Sequence, residues 1–446
     1  MYMTNLLTRR WRWTSNTKAN ICHTSEKVIN VTSKQQLLVL VELRNHDHLE
    51  VAYGTAFARA ALTEMLLRLN AFGGKVYNLT NRRFFVDLDT DFLLTKFVKS
   101  VSKIGSNVIS NLELAFATTP FDYKDTQALL VVSIERVALD RWNEATALNP
   151  EIHELRGLDA PPSHPAPCQY GLIWQSNYQA DMKLALFFIE SLAKQQAKLV
   201  LQPIAPSTHT KISRNTHSIY CNDDNAWIYY EALVRFEQTT ENPPINAGTL
   251  IPALERLGLI QWLDLVVLSS AIEHLRNDLT LHIGCNLSSL SLIPKASWWN
   301  NVFEKLQSHP SVACRLTLEI TETAPISDLN LALSFLKKLR QLGCHIAIDD
   351  FGCGHTRLDF VRAVKPDLIK VSGKLIQSAA ADRNLLNELK CFKDLASSLS
   401  KTVIAEGIEG SAELSIAEEI GFDGLQGYGI ARPSEESKVI NLKLPG

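Results

Sequence analysis

The chain has 446 residues, 46% of them hydrophobic and 21% charged, with a formal net charge of -2. This length suggests two or three domains, and the composition is that of a folded chain with a sizeable core. The charge balance excludes the basic stripe that a non-specific polynucleotide binder needs, while leaving room for a small anionic ligand held by a few placed cations.

The eight cysteines form no CxxC pair and fall mostly in apolar runs. That points to buried thiols in a reducing compartment rather than a disulfide frame or a zinc site. No run of about 18 apolar residues could span a bilayer. The start, Thr8-Arg9-Arg10-Trp11-Arg12-Trp13, is basic but is followed by no apolar segment of the kind a signal peptide carries, so a cytoplasmic location is expected.

In chain order, residues 1–34 are polar and aperiodic and read as an N-terminal arm. An α/β pattern fills 35–149. It has a strand at Leu37–Leu43, a helix at Phe57–Leu69 stopped by Gly73-Gly74, and a hairpin of Lys75–Leu79 and Phe84–Leu88. A helix over 92–103, a strand near Leu112–Ala117 and a helix near Gln127–Trp142 are expected to complete it. This order resembles the GGDEF fold of diguanylate cyclases, with Tyr53-Gly54 matching the turn that opens its helix and Glu42 matching its first-strand acid. Where that family carries its glycine-rich acidic turn, this chain has Thr80-Asn81-Arg82-Arg83-Phe84. Two arginines cannot hold Mg²⁺, so the resemblance implies a dead cyclase scaffold for regulation or dimerisation. A residual GTP or anion site at Arg82 and Arg83, or a regulatory protein bound there, is the lesser expectation.

Residues 150–180 contain Ala160-Pro161-Pro162-Ser163-His164-Pro165-Ala166-Pro167 and read as a semi-rigid linker, followed by a helix over Asp181–Gln196. From 181 to 446, short apolar runs alternate with helical stretches such as Thr249–Leu257, Leu331–Leu342 and Arg383–Leu399. Eight such runs in about 250 residues fit a (β/α)₈, TIM-like barrel. Each run ends in a polar residue: Gln202, Glu231, Asn286, Glu319, Asp349, Lys370, Glu406 and Gln426. In a barrel the C-terminal strand ends converge on one face, so these eight are expected to form a single site.

The side-chain types indicate the chemistry. Glu231, Asn286, Glu319, Asp349 and Asp350 offer hard oxygen ligands, which suit Mg²⁺ or Mn²⁺. The adjacent acids Asp349 and Asp350 need a cation or proton to compensate them, and Asp349 could bridge two ions in a phosphoester-cleaving pair. Lys370 could stabilise developing charge, Arg235 could hold a phosphate, and Glu406 could orient or deprotonate water.

Glu231-Ala232-Leu233-Val234-Arg235, Asn286-Leu287-Ser288, Leu318-Glu319-Ile320-Thr321-Glu322, Asp349-Asp350-Phe351-Gly352, Lys370, Ala405-Glu406-Gly407 and Gln426-Gly427-Tyr428 resemble, in order, the signatures of EAL domains. Those enzymes hydrolyse cyclic di-GMP to linear pGpG with Mg²⁺ or Mn²⁺. The resemblance implies Glu231, Asn286, Glu319 and Asp349 as ligands of one metal, with Asp349 and Asp350 serving a second. It implies Lys370 and Glu406 acting on water and phosphate, and Gln202, Leu233, Arg235 and Gln426 contacting the dinucleotide. Glu322 would anchor the loop Gly352–Leu358, and the barrel would pair into a homodimer. The chain departs from the pattern at Ser372, where the family usually has an acid, and at Cys353-Gly354-His355-Thr356. A cyclic di-GMP receptor without turnover, or a protein-interaction scaffold, is the alternative implied by such departures.

Overall fold

The computed structural model describes residues 36–78, 82–89, 109, 112–113, 115–137, 171–207, 227–237, 245–293, 296–321, 326, 328–352 and 357–442. The expected N-terminal arm, the helix over 92–103, the proline-rich stretch, Glu322 and the 353–356 loop lie outside these residues.

The N-terminal unit is built on an antiparallel sheet of β1 (Gln36–Leu43), β2 (Gly74–Asn78), β3 (Arg83–Asp89) and β6 (Val132–Arg136), in the order β2-β3-β1-β6. β4 (Phe121–Tyr123) and β5 (Thr126–Ala128) form a separate hairpin. Helix α1 (His46–Tyr53) leads through Gly54 into α2 (Thr55–Ala71), which buries Phe57, Ala61, Met65 and Leu69 at four-residue spacing, a stripe that faces the core. Two expectations are corrected. The described residues between 109 and 118 are helical rather than a strand, because Leu112 and Phe116, four apart, are both buried. The segment read as a helix near Gln127–Trp142 supplies β5 and β6 instead, since β6 completes the hydrogen bonding of β1 along its second edge.

Helix α3 (Gly171–Ala193) begins ten residues before the expected Asp181, inside the stretch read as linker. Trp174, Tyr178, Met182, Ala185, Ile189 and Leu192 continue one buried face back to its first turn. This face grips the N-terminal unit. Trp174 and Tyr178 stack with His48, the side chains of Gln175 and Gln179 both donate to the Ala52 carbonyl, and Tyr178 Oη accepts from Asn45 Nδ2 at 3.3 Å.

The second unit is a closed eight-stranded barrel of β7 (Ala197–Pro206), β8 (Tyr229–Phe236), β9 (Ile283–Ser288), β10 (Leu316–Thr321), β11 (His345–Phe351), β12 (Leu368–Val371), β13 (Thr402–Ala405) and β14 (Gly424–Leu425). Strands β8 to β14 run parallel, whereas β7 is antiparallel to both of its barrel neighbours, β8 and β14. A strand the sequence did not announce, β15 (Ser434–Asn441), adds to the outside of β7. Around the barrel lie α4 (Ala247–Leu257), α5 (Ile260–Asn277), α6 (Ala296–Ser308), α7 (Leu329–Gln341), α8 (Leu358–Val364), α9 (Gly373–Ala381), α10 (Leu386–Leu399) and α11 (Ser411–Ile420). Ile204, Ile228, Tyr229, Ala347, Leu368 and Ile404 fill a separate apolar cluster among the barrel strands, so the interior is packed rather than a pore. Among the described residues no helix is long and apolar enough to cross a membrane.

The eight polar residues do not all close their strands at the C-terminal end: Asn286, Glu319 and Asp349 stand two residues short of it, and two positions depart further. Gln202 lies within the reversed strand β7, and Glu231 is only the third residue of β8. They face each other in the ladder, which continues beyond Glu231 to Phe236 because β7 supplies partners as far back as Ala197.

Candidate active site

Lys370 is the centre of the barrel mouth. Its chain is fully buried, and its Nζ lies 2.7 Å from Glu319 Oε2, 2.8 Å from Glu406 Oε1, 3.0 Å from Asp349 Oδ1 and 3.1 Å from Glu231 Oε2. Strands β8, β10 and β11 and the residue just past the end of β13 therefore aim acids at the ammonium on β12. Strand alternation makes this arrangement possible, because each of these residues lies on the inward side of its pleat. Glu231 is further held by Asn286 Nδ2, 2.7 Å from Oε1, and by Gln426 Nε2, 2.5 Å from Oε2. Gln426 Nε2 also lies 3.4 Å from Gln202 Oε1, and Gln202 Nε2 donates to the Ala431 carbonyl.

Backbone glycine is needed below the acids. A Cβ at Gly284 would stand 2.0 Å from Glu319 Oε1 and 2.4 Å from the Tyr229 ring, so any side chain there would expel Glu319 from its place. Neither Gly284 nor Tyr229 was singled out from the sequence. A glycine in a short apolar run is the one signal that could have marked the close approach.

Four carboxylates against one ammonium leave three formal negative charges in excess, and the proton affinities respond to it. Burial pushes the Glu319 carboxyl up to about 8, with Lys370 opposing and Glu231 and Asp349 adding to the rise. Burial likewise raises Asp349 and carries Glu406 well above its ordinary range. Glu231 goes the other way: burial works against it, but Lys370, Gln426 and Asn286 together hold it below its usual value. The Lys370 ammonium loses water on burial, yet the four acids keep it charged.

The donor set is all oxygen. Among the described residues, Asn286 Oδ1, Glu319 Oε1 and Gln426 Oε1 are buried without a hydrogen-bond partner, and Asp349 Oδ1 meets only the Lys370 ammonium. Among the described residues no three acid, imidazole or thiolate groups stand ready as an ion cage, because Lys370 occupies the space between the carboxylates. The orphaned oxygens, the surplus of negative charge and the absence of soft donors nevertheless fit a hard divalent cation.

Seven of the other sequence-expected residues thus converge with Lys370: Gln202, Glu231, Asn286, Glu319, Asp349, Glu406 and Gln426. Asp350 does not join them. It holds a left-handed backbone (φ 50°), is exposed, and its Oδ1 accepts from Ser372 Oγ at 2.9 Å. Leu233 and Arg235 are partly buried and follow Glu231 at alternate positions of β8, on the same face; Arg235 Nη1 donates to the Val234 carbonyl. Missed altogether were Glu255 and Asp264, which form a buried polar group beside Asn286 with Ser288, quoted from the sequence only as part of the Asn286-Leu287-Ser288 run. Acids on the inner face of an otherwise apolar helix give no periodic signal of their own.

A family model described as "EAL domain" matches residues 190–433. Among curated proteins, the cyclic di-GMP phosphodiesterase NbdA of Pseudomonas aeruginosa is 31% identical over 210 residues, 46% of this chain and 26% of that protein. The bifunctional diguanylate cyclase/cyclic di-GMP phosphodiesterase MucR of the same organism is 26% identical over 280 residues, 61% of this chain and 38% of the relative. The cyclic di-GMP phosphodiesterase PdeF of Escherichia coli is 27% identical over 218 residues, covering 48% and 29%. The chain therefore spans well under half the length of each of these relatives. Among solved structures, the PaMucR phosphodiesterase in complex with c-di-GMP aligns with a TM-score of 0.48 at 25% identity, over 57% of this chain and 98% of that one.

Proposed function

The chain belongs to the EAL-domain family, and from that premise we propose that it is a metal-dependent phosphodiesterase hydrolysing cyclic di-GMP to linear pGpG. The observation that carries this reading is the buried cluster around Lys370, with its surplus negative charge and orphaned oxygens. A buried surplus of this kind is costly unless a cation or protons compensate it. The cluster lies inside residues 190–433, which the family model matches, and relatives named as cyclic di-GMP phosphodiesterases are similar to this chain over 210 and 218 residues.

Glu231, Asn286, Glu319 and Asp349 would hold Mg²⁺ or Mn²⁺, with Asp350 available to a second ion. A divalent ion bound there supplies charge neutralisation for phosphoester cleavage. The chain's own groups do the rest. Glu406, pushed up by burial, is able to hold or take a proton at its carboxyl beside the attacking water. Lys370 presents a permanent positive charge to a phosphate oxygen, which is worth most in a site shielded from water. Gln426 and Gln202 form a polar wall that orients Glu231 and contacts the dinucleotide, and Leu233 and Arg235 line the next positions along β8. Glu322 would anchor the 352–358 loop, and the barrel would pair as a homodimer.

The N-terminal unit, in this proposal, is a degenerate GGDEF-like domain with a regulatory role. Glu42 is ion-paired with Arg82 and Arg83, and Arg82 also meets Asp47. Acids of the chain already engage the positive charge that a GTP phosphate would need, so a nucleotide site there is disfavoured.

A second reading, a cyclic di-GMP receptor without turnover, is favoured by one observation: Asp350 is bound to Ser372 and stands apart from the acid cluster. Purified protein incubated with cyclic di-GMP and Mg²⁺ or Mn²⁺, followed by chromatography of pGpG, separates the two. Steady product that EDTA stops supports the enzyme. Micromolar binding without product supports the receptor, and neither would overturn both.

A further inference from the structure

Asn286 meets the acid cluster through one end of its amide only. Its Nδ2 donates to Glu231, while its Oδ1 has no hydrogen-bond partner among the described residues. The side chain is therefore aimed by its backbone, and that backbone runs two residues further to Ser288, the last residue of β9 and the start of a single tight turn, Ser289–Ser291. Three side chains from the surrounding helices hold this turn. Glu255 of α4 accepts from Ser288 Oγ at 2.8 Å, and Asp264 of α5 accepts from the Ser288 N–H at 3.1 Å and from Ser291 Oγ at 2.5 Å. Gln261 donates to the Leu290 carbonyl at 2.8 Å.

The grip is expensive to build. Glu255 and Asp264 are both buried, they lie close enough to repel, and among the described residues no cation pairs with Asp264. A turn this short could end in apolar packing at less cost, since burying acids is tolerated only where their hydrogen bonds are needed. Arg256, next to Glu255, is in turn bound through two nitrogens to Asp181 of α3, at 2.8 and 2.6 Å. The frame that sets Ser288 is thus anchored on the helix that also grips the N-terminal unit.

We infer that Glu255 and Asp264 are positioning residues for Asn286: they fix the Ser288–Ser291 turn and so set where the Asn286 oxygen points. This deepens the proposed phosphodiesterase reading of the same site and rests on it for its functional consequence, but its structural core is testable without turnover.

The decisive substitution is Ser288→Ala, with Ser288→Thr as the conservative partner that keeps the hydroxyl. In ¹⁵N-asparagine-labelled full-length protein, the Asn286 side-chain amide is assigned by its loss in Asn286→Asp. Ser288→Ala should shift that resonance and speed its hydrogen exchange, and Ser288→Thr should restore both. Mn²⁺ affinity, measured by calorimetry with the metal alone, should fall about 10- to 100-fold in Ser288→Ala and recover in Ser288→Thr, as for other residues that orient a ligand from behind. An Asn286 amide unchanged both in folded Ser288→Ala, which loses the Glu255 contact, and in folded Ser291→Ala, which loses an Asp264 contact, overturns the inference, whatever the turnover. If the unsubstituted protein binds no Mn²⁺ and makes no pGpG, the phosphodiesterase reading fails while the amide comparison still decides this one. Should Ser288→Ala not fold, Gln261→Ala removes the Leu290 anchor from a partly exposed position and serves the same comparison.

Discussion

Two clusters of opposed charge can be set side by side. In the N-terminal unit, Arg82 and Arg83 meet Glu42 and Asp47 at the surface, where the Arg82 side chain is 42% exposed and that of Asp47 54%. In the barrel, Lys370 meets Glu231, Glu319, Asp349 and Glu406 with almost none of its surface exposed. The first cluster balances, two cations against two acids, and water and salt screen what remains. Burial there works against ionising Asp47, yet His46 and Arg82 hold its carboxyl below the ordinary value. The second cluster sets four acids against one cation, and solvent reaches only the outer parts of Glu406 and Asp349 to help. A balanced surface cluster is what a scaffold can carry cheaply, whereas an unbalanced buried one marks a place where something positive is meant to bind or a proton to move.

The comparison is broken most directly at Glu231, which touches Lys370, Asn286 and Gln426 at once. Glu231→Ala is expected to reduce pGpG formation by at least about 100-fold, the scale on which preorganised electrostatic groups act. Near-normal turnover by this variant would remove the cluster from the chemistry. The next effect falls on Lys370. Lys370→Met deletes the only cation that, among the described residues, contacts Glu231, Glu319, Asp349 and Glu406, and breaking a buried pair in this way costs roughly 3–5 kcal/mol. Thermal unfolding should show that loss, and Mn²⁺ should restore part of it by replacing the missing charge. A melting temperature that neither falls nor responds to Mn²⁺ would show the acids to be neutral and the comparison misplaced.

A third expectation follows from the Glu319 carboxyl, pushed up to about 8 by burial from an ordinary 4.5. In metal-free protein the folded carboxyl keeps a proton that the unfolded one releases above about 4.5. Stability from this group is therefore complete below 4.5 and is lost as the pH rises through about 8. A divalent ion must displace the same proton, so Mn²⁺ affinity should rise between pH 6 and pH 8, by roughly tenfold per pH unit for each proton released. Calorimetry at the two pH values, in buffers of different ionisation heat, measures both the affinity and the protons. Affinity that is flat across this range would show Glu319 already ionised.

The barrel was legible in the sequence for a specific reason. Strands such as Leu316–Thr321 and His345–Phe351 are buried on both faces, and Leu316, Leu318 and Ile320 in one and Ile346, Ala347 and Ile348 in the other give them an apolar frame, so Glu319 and Asp349 stand out against it. The reversal of β7 was not legible, because strand direction leaves no mark on a run such as Leu199-Val200-Leu201; only the pairing of Gln202 with Glu231 reveals it. The N-terminal unit was read less well. Val132-Ser133-Ile134 sits beside residues that also favour helix, and what decides for a strand is the unfilled edge of β1, a tertiary fact. The positioning acids Glu255 and Asp264 were hidden for the same kind of reason, since their partners Ser288 and Ser291 come from another element.

The smallest expected effect tests the other half of the comparison. Arg82 pairs with Glu42 and Asp47 from a partly exposed position, and ion pairs exposed on both sides, as that with Asp47 is, contribute about 0–1 kcal/mol. Arg82→Ala should therefore leave the melting temperature within a few degrees of the unsubstituted protein, and high salt should shrink the difference further. The neighbouring Arg83 keeps its contact with Glu42 in that variant, so the acid is not stranded. A large, salt-independent loss of stability would mean that this cluster is structural in the same sense as the one around Lys370. The contrast between a solvated, balanced cluster and a buried, unbalanced one would then no longer separate scaffold from site.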